Sequence, residues 1–145
     1  MKKYIVLTIA MLFLGMSCTL IPVPVELIPG KTFDEKWLWV TENIEYQSED
    51  DNGIDDWKQP ENTRIDGNGD CEDFVGLLLN DLTAMGEDAT LTVIRQYGVK
   101  HAILHYKGQY LSGQVYNYYY HLNAGDALQE YTYDQYMIHA LRDGR

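Results

Sequence analysis

The sequence predicts an α+β domain, and three observations carry that reading. Apolar residues recur at helical spacing in two early stretches, Phe33, Trp37, Val40 and Ile44 and then Phe74, Val75, Leu78, Leu82 and Met85. Two β-type runs, ATLTVIRQY and HAILHY, follow, and Lys107-Gly108 suits a two-residue hairpin turn. Helices first and antiparallel strands after is an α+β order, and 145 residues suit a single core.

Taken in order, Met1-Lys2-Lys3 and the uncharged stretch YIVLTIAMLFLGMSC have the basic start and apolar centre of an export signal. The expectation is a signal peptide over 1–18, with an uncleaved anchor as the second reading. LGMSC resembles the lipobox of bacterial lipoproteins, which would make Cys18 the lipidated residue, although Gly15 stands where a large aliphatic residue is usual. Residues 19–31 read as a proline-rich tether and 32–145 as the domain. Thr32-Phe-Asp-Glu35 is a capping-box pattern that starts the first helix. Residues 48–69 lose the period and read as a long polar loop, with the acidic run EDDNGIDD as a solvated segment. The second helix begins at Cys71 and stops at Gly86. After the strand HAILHY, the run QYLSGQVYNYYY completes the hairpin, and residues 132–141 form a short terminal helix.

Composition bounds the function. A formal charge of −11 argues against nucleic acid as a partner, since phosphate recognition needs clustered Lys and Arg. With Cys18 acylated or removed, Cys71 is the remaining thiol and has no intramolecular disulfide partner in an oxidising compartment.

Cys71 sits in GNGDCEDF, at a helix start, where unpaired N–H groups and the positive end of the dipole favour thiolate and can hold an oxyanion. Asp70, Glu72 and Asp73 oppose that by disfavouring a nearby anion, so the site calls for a positive partner. A histidine supplies one, and the thiol and imidazole then work as nucleophile and base. His101 is the best placed of four, since it opens the strand HAILHY; His105 lies further along, and His121 and His139 fall in an aromatic segment and the terminal helix.

Trp57, Pro60-Glu61, Gly67-x-Gly69-Asp70-Cys71-Glu72-Asp73-Phe74, Gly86 and His101-Ala102 together resemble the bacterial transglutaminase-like cysteine protease family, whose pattern runs W-x-x-P-E, G-x-G-D-C-E-D and H-A. The resemblance covers about residues 35–115. It implies a papain-like core, with a central helix bearing the cysteine packed on a small antiparallel sheet bearing the histidine. It further implies a cell-envelope protein or peptide as substrate, periplasmic location at the membrane, and calcium held by the acids flanking the cysteine, here Asp70, Glu72 and Asp73. The chemistry itself requires no cofactor.

One departure stands out. The family carries an Asp after the histidine to orient the imidazole, where this chain has Ser112. If Lys107-Gly108 forms the turn, Ile103 faces Ser112 and His101 faces Gln114, so either side chain is a candidate neutral orienter. Trp57 or Gln59 could add a donor to an oxyanion hole built on the Cys71 backbone, although Trp57 also reads as a lid on the core. Asp66-x-Asn68-x-Asp70 echoes the start of a calcium loop, but lacks its turn glycine and closing Glu. The expected function is an exported cysteine peptidase or amidase acting through Cys71 and His101. The alternatives are a noncatalytic envelope binding module of the same fold and an acyltransferase to an amine.

Overall fold

A computed structural model describes residues 26–48, 56–123 and 125–143. Cys18, the 1–18 segment and the acidic residues 49–55 lie outside them. The described elements are α1 (Phe33–Asn43), β1 (Glu45–Tyr46), α2 (Pro60–Asp66), β2 (Asn68–Gly69), α3 (Cys71–Ala84), β3 (Ala89–Gln96), β4 (Val99–Tyr106), β5 (Gln109–Leu111), β6 (Tyr119–Tyr120), β7 (Ala127–Tyr131) and α4 (Tyr133–Asp143). They make an α+β fold of four helices and a five-stranded antiparallel sheet in the order β6-β5-β4-β3-β7, with a small parallel pair, β1 and β2, beside it. Among the described residues no helix is long and apolar enough to cross a membrane.

The central helix is α3. The sequence period puts one apolar stripe on it, yet side chains from Glu72 through Leu82 are buried without interruption. A helix buried all round must be covered on every side. Leu91 of β3, Ala102, Leu104 and Tyr106 of β4 and Leu111 of β5 share one core with it, together with Trp37 and Val40 of α1 and Tyr136 and Ala140 of α4. Gly76 is required by that closeness, since a Cβ there would collide with the Tyr136 ring. Tyr136 in turn donates from Oη to the Lys58 carbonyl at 2.6 Å, which fixes residues 57 and 58 over the start of α3.

Local signals set the boundaries. Thr32 and Glu35 form the expected capping box on α1. At the other end of α3 the Glu87 N–H bonds to the Leu82 carbonyl and the Gly86 N–H to that of Thr83, a Schellman stop. Lys107 and Gly108 both take positive φ, the geometry of a type I′ turn, and fix the β4–β5 register as Leu104 to Leu111, His105 to Tyr110 and Tyr106 to Gln109.

Four features differ from the sequence expectation. Residues 60–66 form a helix inside the supposed loop, begun by Pro60 in its first turn and ended by left-handed Gly67, the proline-first, glycine-last pattern of a short helix. The run QYLSGQVYNYYY is not one strand. It breaks after Leu111, because Ser112 Oγ accepts the Gln114 and Val115 N–H groups and so folds the chain into a turn, and Asn117 takes φ 59°. β7 was not foreseen, because an exposed edge strand shows no apolar alternation; it pairs with β3 across an irregularity at Val93/Ile94. The tether is also partly built in: Ile28 is buried, its carbonyl accepting from Lys36 Nζ at 2.7 Å and its N–H donating to Asp81 Oδ2 at 3.2 Å.

Candidate active site

Cys71 is the first residue of α3, after the N-cap Asp70. Asp73 Oδ2 accepts the Asp70 N–H at 3.2 Å and Asp73 Oδ1 accepts the Lys58 N–H at 2.8 Å. Asp73 is therefore a structural clasp between the helix start and the segment carrying Trp57. Burial, then the charge of Asp70, raises its carboxyl to about 7, against the pull of those two N–H groups.

The sulfur lies between two groups. It donates to Glu72 Oε2 at 3.1 Å and accepts the Ala102 N–H at 3.4 Å. β5 covers β4 only over Leu104–Tyr106, so the Ala102 N–H lies beyond that ladder and goes to sulfur instead. Burial, then the Glu72 carboxylate, pushes the thiol well above its ordinary range, while the Ala102 N–H pulls the other way. The helix-start effect expected from the sequence is thus outweighed by desolvation and a like charge.

His101, next to Ala102, lines the same cavity as Cys71, a space of about 150 Å³ bounded also by Trp57, Glu72, Val93 and the β7 residues Leu128, Gln129 and Tyr131. The fold brings thiol and imidazole to one enclosure but makes no hydrogen bond between them among the described residues. Burial lowers the imidazole's basicity, so the resting pair is neutral thiol and neutral imidazole. His101 Nε2 lies 2.9 Å from Tyr120 Oη.

The other histidines are engaged elsewhere. His105 stacks on Tyr110 at 4.4 Å and meets Glu130 at 3.2 Å. His139 packs on Trp57 at 4.8 Å. His121 is exposed.

Among the described residues neither candidate orienter is hydrogen-bonded to the imidazole, whose Nε2 meets Tyr120. Ser112 is buried; its carbonyl accepts from Trp37 Nε1 at 2.7 Å, its N–H donates to the Tyr118 carbonyl, and its hydroxyl oxygen accepts the Val115 N–H at 3.0 Å. Gln114 contributes its backbone N–H to Ser112 Oγ at 3.2 Å. The expected register would place it across from His101, but the ladder ends before reaching it. Tyr120 was not singled out from the sequence. The aromatic run YNYYY was its only signal, and the pairing of Tyr120 with Tyr110 needs the turn at 112–118, which strand propensity hides.

Trp57 is a buried lid, its ring packed on Tyr131 and Tyr136, and it also lines the cavity. Gln59 is the N-cap residue of α2, not a lining residue of this cavity.

The acids also have assigned neighbours. Lys58 Nζ sits 2.8 Å from Asn68 Oδ1, 3.2 Å from the Asn68 carbonyl and 3.6 Å from Asp66 Oδ2, so an ammonium occupies the oxygens of the loop that echoed a calcium site. Among the described residues no group of three or more His, Cys, Asp or Glu converges as a metal cage. Asp70, Glu72 and Asp73 do not make a three-ligand set for calcium in this geometry.

Comparison with models of known protein families and with curated proteins found no match.

Proposed function

We propose that the chain is an exported transglutaminase-like cysteine peptidase or amidase with a papain-like core. It would be held at the periplasmic side of the membrane by a lipid on Cys18 and act on a protein or peptide of the cell envelope. The observation that carries this reading is the shared cavity: Sγ accepts the N–H of Ala102 while the adjacent His101 ring lines the same space.

The chemistry follows from those positions. The Cys71 S–H bond breaks, its proton passes to His101, and the sulfur electron pair forms the bond to an amide carbonyl carbon. The Cys71 backbone N–H, at the first helical position where no intrahelical partner exists, faces the developing oxyanion. The imidazolium returns its proton to the leaving amine, and water cleaves the thioester. A neutral resting pair suits a base that works only when substrate is present, and calcium has no step in this scheme.

A second reading, a noncatalytic binding module, is favoured by one observation: the thiol donates to Glu72 and not to His101. One experiment separates the readings. The full chain is incubated with activated esters and amides, and acyl-Cys71 is followed by intact mass. Wild type should form the adduct, His101→Ala should slow it by about 10²- to 10⁴-fold, and Cys71→Ser should abolish the thioester. Absence of any adduct, with iodoacetamide labelling equal in wild type and His101→Ala, would establish the module. Added primary amine appearing in the product in place of hydrolysis would make the protein an acyltransferase.

A further inference from the structure

We propose that Tyr120, presented by the turn at Ser112, is the positioning residue for His101, holding Nε2 so that Nδ1 is left to the Cys71 cavity. This rests on His101 acting as the base, and it assigns the orienting task to a phenol on a separate strand.

Three observations carry it. His101 Nε2 and Tyr120 Oη are 2.9 Å apart, whereas the ring's other nitrogen has no hydrogen-bond partner among the described residues. Tyr120 itself is held in place: β6 pairs it with Tyr110, and its ring packs edge-on against Tyr118 at 5.0 Å. Ser112 shapes the turn that presents Tyr120: its Oγ accepts the Gln114 and Val115 N–H groups, and its backbone is pinned by Trp37 and Tyr118. An Oη lone pair of Tyr120 is available for the Nε2 proton.

A phenol differs from a carboxylate in a way that matters here. Its oxygen accepts the Nε2–H of neutral or protonated imidazole, so the positioning bond persists while Nδ1 gains and loses the thiol proton. It carries no charge, so it orients the ring without stabilising imidazolium as an anion would. Ser112, at the position of the family Asp, thus acts through the turn that returns Tyr120 to the imidazole.

The test uses ¹⁵N NMR of the full chain's histidine rings together with iodoacetamide labelling of Cys71 across pH. In wild type, His101 should carry its proton on Nε2. Tyr120→Phe should remove that preference and slow labelling at neutral pH by about tenfold, a fraction of the roughly 10²- to 10⁴-fold a positioned base contributes. Tyr118→Phe, which removes a hydroxyl not bonded to the imidazole, should leave both readouts as in wild type. An unchanged tautomer and an unchanged pH profile in Tyr120→Phe, or a wild-type proton on Nδ1, would overturn the proposal. Should the NMR change appear while His101→Ala labels like wild type, the positioning role stands and the base reading falls.

Discussion

The two halves of α3 treat buried carboxylates in opposite ways. Toward its C-terminal end, Asp81 meets an ammonium, Lys36 Nζ at 2.7 Å, and both side chains are almost wholly shielded from water. At its N-terminus, Asp70, Glu72 and Asp73 are also buried, but Glu72 accepts from a thiol and Asp73 from two backbone N–H groups. Even at the paired end burial outweighs the partner and leaves the Asp81 carboxyl raised. The contrast separates two kinds of compensation: a full charge pairs with Asp81 at one end, whereas at the other two backbone N–H groups hold Asp73, whose carboxyl at about 7 can change protonation near neutral pH.

The largest effect should come from removing the compensation. Lys36→Met strands Asp81 in the core and should cost about 3–5 kcal/mol, read as a lower denaturation midpoint at unchanged m-value. Adding Asp81→Leu to that variant should recover most of the loss, because an apolar pair of similar volume avoids the desolvation cost.

The next effect lies at the other end and depends on pH. The folded Asp73 carboxyl is raised to about 7 from an ordinary 3.8. The native state therefore binds more protons than the unfolded state between those values. The ionisation penalty is absent below about pH 4, grows through the window and is complete above about pH 7, so this group makes stability fall as pH rises. Asp73→Asn should flatten that slope in urea titrations at several pH values; an identical slope in the variant would place the titration on another group.

The smallest effect concerns reactivity alone. Glu72→Gln removes the charge that helps to raise the thiol while keeping a side-chain oxygen beside it. Iodoacetamide labelling of Cys71 near pH 8 should quicken by about tenfold, one pKa unit, with burial still holding the thiol above an exposed one. A slower reaction would mean that Glu72 accepts the thiol proton productively.

The sequence made some of this legible and hid the rest, for physical reasons. α1, α3 and the type I′ turn at Lys107-Gly108 are encoded locally, by a capping box, a helical period and a residue pair suited to positive φ. That Cys71 and His101 line one cavity was legible from a helix start and an early strand position, although β4 begins two residues before His101, at Val99. Hidden were features decided by burial or by distant pairing. The thiol's direction of shift depends on desolvation, which neighbours in sequence do not report. Tyr120 reaches His101 only because Ser112 folds the chain back through residues 113–118, and the apolar stripe of α3 was incomplete because α4, arriving from the far end of the chain, covers the remaining side.

The Lys36–Asp81 pair also grips Ile28 through both its N–H and its carbonyl. If Cys18 carries a lipid, as proposed, the leash from it to this knot is the ten residues 19–28, at full stretch about 35 Å. An enzyme so tied would sample targets within a short radius of the bilayer, selecting them by altitude as well as by side chain. Any tug on that leash would arrive first at the helix whose opposite end bears the sulfur.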